Sequence, residues 1–262
     1  MTQNNKTHIL AITHHDPTGK FNNYIKNSLS KLQEIFTHIC ISTTPPTIEK
    51  NGEFLNFLEK SGCIVYKNEI DSNIGDHYRN SLKTACDIDG NNKIFFGFID
   101  RILFALNNGY STQFIEDINN SATDMVLFER SEKAWQTHPV NYRNIEQTVN
   151  KLGSFLVGKE VELATCGFST YSNIAKKILE QSKADSYSAG AEWILIAFLL
   201  GFKPTIKKVD WLSWEDPYIE NIPLEQLKSM KETDKYEFIK RLEMNIPFID
   251  LLVQKRFYDL LK

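Results

Sequence analysis

With 262 residues, 42% of them hydrophobic, the chain has enough apolar material for one large α/β domain or two small ones, without disulfide staples. A formal net charge of −3 lacks the basic excess needed to track a phosphate backbone, so no nucleic-acid partner is expected. No apolar stretch reaches the roughly 18 residues that cross a bilayer, and Met1 to Thr7 has no signal-peptide pattern; a soluble, cytoplasmic protein without a transmembrane segment is expected.

The amino-terminal half alternates two periodicities. His8 to Thr13 reads as a buried strand, and Ile25, Leu29, Leu32 and Phe36 then recur at helical spacing. The cycle repeats with a strand at Ile39 to Ile41, a short helix at Glu53 to Glu59 and a strand at Cys63 to Tyr66. It continues with a helix near Asp76 to Cys86, a strand from Lys93 to Ile99, a helix near Tyr110 to Ile118 and a strand from Asp124 to Glu129. Strands alternating with helices predict a mostly parallel sheet covered on both faces. Thr43 to Thr47, with two prolines, reads as a loop at the carboxyl end of the second strand. Cys40, Cys63, Cys86 and Cys166 form no C-x-x-C pair and read as small core residues in a reducing compartment.

After Arg130 the rhythm changes. Ser131 to Tyr142 is polar and irregular, Ile145, Val149, Leu152 and Leu156 mark a helix, and Ile174 to Leu179 marks another. Ala191 to Leu200 is apolar on nearly every side, which predicts a deeply buried helix ended by Gly201. Thr205 to Trp211 alternates like a strand, and from Pro223 onward the chain reads as helical. This tail is expected to pack on the core or on another subunit rather than to carry chemistry.

Three polar clusters interrupt the apolar pattern. Thr13-His14-His15-Asp16-Pro17-Thr18-Gly19 closes the first strand, where Asp16 either stabilises a turn or hydrogen-bonds a ligand. Gly75-Asp76-His77-Tyr78-Arg79 opens a helix, whose amino terminus attracts phosphate and whose Arg79 adds a fork of donors; an ordinary capped helix is the alternative. Phe98-Ile99-Asp100-Arg101 ends the most apolar strand in an acid and a base. In open α/β sheets ligands bind at the carboxyl ends of strands, and a carboxylate there can hold a cation against a diphosphate; Asp100 acting merely as a helix cap is the plain alternative. A G-x-G-x-x-G after the first strand is missing, as is a G-x-x-x-x-G-K-[ST], which disfavours dinucleotide dehydrogenases and P-loop NTPases.

In order, these landmarks resemble the GT-A nucleotide-sugar glycosyltransferases, especially the family-two-like and glucosyl-3-phosphoglycerate-synthase-like branches. Thr13 to Asp16 matches the nucleotide-binding opening, Gly75 to Arg79 resembles the G-x-x-x-R helix start, and Phe98 to Arg101 sits at the D-x-D position. Gly167 to Ser172 is similar to the glycine-bearing acceptor loop, and Ala191-Glu192-Trp193 with Gly201-Phe202-Lys203 resembles the acidic helix start and the segment after it. The resemblance implies a GT-A-like, Rossmann-type, mostly parallel sheet flanked by helices. Residues 1–216 would form the catalytic domain, with a nucleotide-binding half at 1–130 and an acceptor half at 131–216, and residues 217–262 a helical C-terminal extension.

It further implies a UDP- or GDP-linked sugar donor held by Thr13, His15, Asp16, Arg79 and Arg101, and a small or lipid-linked hydroxyl acceptor near Gly167; the polar stretch from Glu129 and Arg130 through His138 to Glu146 and Asn150 would line its pocket, with Arg130 for a phosphate or carboxylate and His138 for a hydroxyl, or else is a surface loop and helix face. Asp100, with Asp216 or, as the lesser alternative, Glu215, would hold Mg²⁺ or Mn²⁺, unless Arg79 and Arg101 neutralise the diphosphate without metal; Glu192 would deprotonate the acceptor hydroxyl, with a plain helix cap as the alternative. Asp16, Arg79, Asp100 and Glu192 should then converge on one cleft. A homodimer through the C-terminal helices is a further expectation. The chain departs from the pattern at Phe98, where the first D-x-D acid belongs, and at Ser42-Thr43-Thr44, where the second strand lacks its usual terminal acid. Two other functions stay open. A sugar-phosphate nucleotidyltransferase would need a glycine-rich basic loop of which only Gly19-Lys20 is present, and a non-catalytic, degenerate binding module would account for Phe98.

Overall fold

In a computed structural model, which describes residues 8–120, 123–164 and 167–261, the amino-terminal half is an alternation of strands and helices. The order is β1 (His8–His14), α1 (Asn22–Ile35), β2 (Phe36–Thr43), α2 (Pro45–Lys60), β3 (Ile64–Lys67), α3 (Ile74–Cys86), β4 (Lys93–Phe98), α4 (Ile99–Asn107), α5 (Ser111–Asn119) and β5 (Met125–Arg130). There follow α6 (Glu132–Thr137), α7 (Val140–Val157), β6 (Gly167–Tyr171), α8 (Ser172–Leu179), α9 (Ala189–Leu199) and β7 (Thr205–Val209). The tail is α10 (Asp216–Glu220), α11 (Leu224–Thr233), α12 (Lys235–Leu252) and a 3₁₀ segment, Lys255–Leu261.

The strands build one seven-stranded sheet in the order β3-β2-β1-β4-β6-β5-β7. β1 pairs in parallel with β2 and β4, β2 with β3, and β5 with β7, whereas β6 runs antiparallel to both of its neighbours. Parallel strands need both faces covered, and alternate residues of β1 serve the two layers. Ile9 and Ala11 join the cluster formed with α3 and α9, while Leu10 and Ile12 join the cluster formed with α1 and α2. The fold class read from the sequence is therefore the observed one. No described helix is long and apolar enough to cross a membrane.

Two local expectations are corrected. The segment expected as a loop at Thr43 to Thr47 already enters α2 at Pro45, because proline at the first helical position lacks only an N–H that the helix would leave unpaired. Gly167 to Tyr171, expected as a loop, is the sheet's antiparallel strand; Phe168 stacks on Phe96 at 5.4 Å and meets Trp193 of α9 edge-on at 5.9 Å. The apolar helix α9 is buried along nearly its whole length, as its all-round hydrophobicity predicts. Cys40, Cys63 and Cys86 are free and buried, and burial raises their thiols to about 12, 11 and 12; Cys166 lies outside the described residues.

The tail is integral to the core. Phe248, Leu251, Leu252 and Phe257 pack in the same cluster as Ile9, Phe96 and Trp193. Polar contacts seat α12 along α7: Tyr142 donates its hydroxyl hydrogen to Glu237, and Arg241 pairs with Glu146 at 3.6 Å while stacking on the Tyr142 ring.

Candidate active site

Because β1, β2 and β4 run in parallel, their carboxyl ends meet at one sheet edge, and two cavities open there. The larger, about 890 Å³, is walled by Thr13 and His15 from the end of β1, Pro45 and Pro46 from the start of α2, and His77 and Tyr78 from α3. The smaller, about 300 Å³, is lined by Asp100 and Arg101 from α4, Glu146 from α7, Glu215 beyond β7, and Arg241 and Asn245 from α12. Tyr78, Phe98 and Tyr187 line both, so the two form one cleft with an aromatic waist.

The larger chamber is mostly apolar, with its polar groups at the strand ends. His15 Nδ1 lies 2.8 Å from Thr44 Oγ1, which bonds Thr47 Oγ1 at 2.9 Å, and Thr47 in turn accepts the backbone N–H of Asp16. This relay fixes the imidazole at the mouth. Opposite stands α3, whose first turn carries a reciprocal cap: Asn73 Oδ1 accepts the Asp76 N–H and Asp76 Oδ2 accepts that of Asn73. Burial lowers the His77 pKa against the opposing field of Asp76, so His77 is a neutral ring in this wall.

The smaller chamber concentrates charge. Burial, and then the Glu215 carboxylate, push Asp100 up to about 7 against the pull of Arg101. Arg101 Nε approaches Glu215 Oε1 at 3.4 Å, and its guanidinium lies 5.1 Å from the Phe98 ring centroid. Asp216, next along the chain, is likewise raised to about 6 by burial and by Glu215, and it does not line either cavity. Among the described residues no three His, Cys, Asp or Glu side chains group as a metal site. Two mutually repelling carboxylates, Asp100 and Glu215, nevertheless share one wall. That donor set fits a hard divalent ion taking its other ligands from phosphate and water, and does not fit an ion caged by protein alone.

Of the four residues expected to converge, Asp100 alone lines the cleft. Asp16 is turned inward, its carboxylate accepting the N–H groups of Lys20 at 2.9 Å and Phe21 at 2.7 Å, which is the turn-stabilising alternative. Arg79 is spent on Asp76 at 2.6 Å and on the Ala184 carbonyl. Glu192 is fully buried, and its two oxygens accept from Ser182 Oγ at 2.6 Å, from the N–H groups of Lys183 and Ala184, and from Arg256. With these donors its carboxylate ties residues 182–184 and Arg256 together, and it lines neither cavity. Arg79 and Glu192 thus hold the same segment, residues 182–188, which carries Tyr187 to the waist. Gly75 belongs to this arrangement, since a Cβ there would lie 1.9 Å from the Ala184 carbonyl oxygen.

The expected acceptor residues also resolve into structure. Arg130 is buried between Glu146, at 2.6 Å, and Glu162, and stacks 3.6 Å over Trp135. His138 is buried and held neutral by its burial and by Arg130, with Nδ1 3.0 Å from the Ala134 carbonyl. Gly167 begins β6. Thr13, His15, Asp100 and Arg101 do line the cleft. Glu146, from the polar stretch read as a candidate acceptor wall, lines it too, whereas Tyr78, Tyr187, Arg241 and Asn245 were not singled out for it; they come from α3, from the turn before α9 and from α12, where the sequence offered no clear signal.

No protein-family model and no curated protein sequence matches the chain. Solved structures do. Glucosyl-3-phosphoglycerate synthase from Mycobacterium tuberculosis, in complex with Mn²⁺, UDP and phosphoglyceric acid, aligns at a TM-score of 0.53 and 11% identity over 91% of this chain and 79% of that one. The complex of the same enzyme with phosphoglyceric acid aligns at 0.51 and 10% identity, covering 92% and 81%. Its complex with Mg²⁺ and UDP aligns at 0.50 and 11% identity, covering 92% and 80%. At such identities the likeness is one of architecture, and on that basis the chain has the GT-A fold.

Proposed function

We propose that this protein transfers a sugar from a nucleoside-diphosphate sugar, UDP- or GDP-linked, to a hydroxyl acceptor. The main support is the two-chambered cleft: an apolar chamber at the ends of β1 and β2 opens past an aromatic waist into one lined by Asp100, Arg101, Glu215 and Arg241. A nucleoside suits the first chamber, a diphosphate the junction, and the acceptor the second. The shared fold adds to this, since structures of that architecture hold UDP with Mn²⁺ or Mg²⁺.

Thr13 and His15 would then contact the nucleoside, and Arg101, within its stack on Phe98, would face the leaving diphosphate with its fork of donors. Asp100 and Glu215 would hold Mg²⁺ or Mn²⁺, which supplies charge neutralisation of the diphosphate when bound. Phe98 at the first D-x-D position removes one oxygen ligand, so the protein would grip the ion more weakly than a site with two acids there. Asp16, Arg79, Glu192, Arg130 and His138 support the architecture. A non-catalytic nucleotide-sugar binding module is the second reading, favoured by Phe98 and by the closed hydrogen-bond shell of Glu192.

A thermal-shift titration with UDP, GDP and their sugars, with and without Mn²⁺, tests the proposal, because a ligand that binds the native state raises its melting temperature. A UDP- or GDP-sugar should stabilise the protein, more so with the ion, and release of free nucleoside diphosphate in its presence separates enzyme from binding module. Absence of stabilisation by every one of these ligands would rule out both.

A further inference from the structure

The smaller chamber is lined by five charged side chains whose balance is negative, Asp100, Glu146 and Glu215 against Arg101 and Arg241. Neither cation is spare. Arg101 approaches Glu215 at 3.4 Å and stacks on Phe98, and Arg241 lies 3.6 Å from Glu146 and over the Tyr142 ring. The layer behind leaves the sign unchanged, since buried Arg130 stands between Glu146 and Glu162, and Asp216 adds a carboxylate beside Glu215. With Asp100 protonated the lining is even, two acids against two bases, and still offers no cation to a newcomer. Among the described residues no other Lys or Arg lines the chamber. A phosphate or carboxylate entering it would meet like charge away from bulk water, where repulsion is strong.

What the wall does offer is oxygen that accepts hydrogen bonds. Asn245 of α12 is 5% exposed, and its Nδ2 donates to the Arg241 carbonyl at 2.8 Å, which leaves Oδ1 with no partner. A buried oxygen without a donor calls for one from outside the protein. Ionised carboxylates around it accept and cannot donate. Beside these oxygens stand the rings of Tyr78, Phe98, Tyr187 and Phe248. Oxygens that accept, set next to aromatic faces, match a molecule with several hydroxyl donors and a face of C–H groups. We infer that the glycosyl acceptor is an uncharged carbohydrate, a single sugar ring or a polyol, one of whose hydroxyls donates to Asn245 Oδ1, and that the chamber's carboxylates turn phosphorylated and carboxylated molecules away. The inference rests on the assignment of the second chamber to the acceptor. Its volume of about 300 Å³ stands at the lower end of small-molecule sites, which suits a monosaccharide better than a longer glycan.

Saturation-transfer NMR titrations on the full chain test this with glucose, mannose and myo-inositol, each beside its monophosphate, in chelator and with and without UDP to fill the larger chamber. At least one uncharged member should bind, with roughly 10-fold or higher affinity than its monophosphate. Asn245→Leu should weaken that binding roughly 10-fold, the worth of one hydrogen bond. Glu215→Gln, which returns Arg101 to the chamber, should narrow the gap between the uncharged member and its monophosphate. A monophosphate that binds as tightly as its uncharged partner, or a panel in which no uncharged member binds, would overturn the inference. If Asn245→Leu loses the wild-type circular dichroism spectrum, Glu215→Gln decides, and an unchanged gap would overturn it. Uncharged sugar that still binds when no UDP- or GDP-sugar stabilises the protein would keep the chamber's ligand and remove the donor reading instead.

Discussion

Glu192 offers the sharpest contrast between a catalytic and an architectural carboxylate, and Glu192→Gln separates them. The native side chain accepts from Ser182 Oγ, from two backbone N–H groups and from Arg256, within a fully buried shell. Glutamine keeps one acceptor oxygen but turns an NH₂ toward donors, leaving one or two of them unpaired at about 1–3 kcal/mol each. Arg256, with 29% of its side chain exposed, returns to water and adds little. The sum is about 3 kcal/mol, or roughly 6–12 °C in melting temperature for a chain of this size. Urea unfolding followed by circular dichroism should show this loss in the midpoint, and nucleotide affinity should fall with it, because the freed 182–188 segment no longer holds Tyr187 at the waist. A Glu192→Gln protein as stable as the wild type and with unchanged nucleotide affinity, yet devoid of turnover, would refute the anchor and restore the base.

Gly75→Ala places a methyl against the Ala184 carbonyl, an atom of backbone that cannot swing aside; a loss of about 2 kcal/mol by denaturant titration is expected, and an unchanged midpoint would mean the close approach is not real. Asp100 titrates near 7 when folded and near 3.8 when unfolded, so between those values the folded state binds the extra proton and stability falls as pH rises. In chelator, Asp100→Asn should match the wild type near the lower value and exceed its melting temperature above the upper one; parallel curves at every pH would contradict the burial and repulsion assigned to this carboxyl. Phe98→Asp adds an oxygen ligand while giving up the edge-on contact with Tyr78 and the Arg101 stack. Calorimetry should find tighter Mn²⁺ binding in the presence of UDP, at about 1–2 kcal/mol of folding stability, and no gain in Mn²⁺ affinity would place the ion elsewhere.

Periodicity made the sheet legible. Each strand of the first half follows an apolar run of two or more residues, so β1 to β5 could be read in order, whereas α2 was read only over Glu53 to Glu59 and α4, which starts directly at the end of β4, was not placed. The direction of β6 could not, since Gly167 to Tyr171 has the composition of a loop and becomes a strand through Phe168, which fits between Phe96 and Trp193. The site was legible by position more than by role. Thr13, His15, Asp100 and Arg101 were found because strand ends are where parallel sheets leave charge uncovered. Asp16, Arg79 and Glu192 stand near that edge too, but a sequence does not reveal whether a carboxylate's donors come from backbone or from a ligand, and here backbone and Arg256 fill them.

The placement of those three residues explains how a cleft survives with few groups committed to holding its ligand. The polar residues one layer behind the cavities are engaged with one another: Asp16 closes the turn after β1, Arg79 and Glu192 pin residues 182–188 from two sides, and Arg130 neutralises Glu146 and Glu162. All of them are hydrogen-bonded, Asp16, Glu192 and Arg130 within the interior and Arg79 with Asp76 at its margin. At the lining Asp100 stands close to Glu215, and burial first, then repulsion from Glu215, raise the folded-state pKa of Asp100 against the pull of Arg101. A cation, or a proton, relieves that repulsion. On the proposed reading, that repulsion lies where a diphosphate and its counter-ion would meet Arg101.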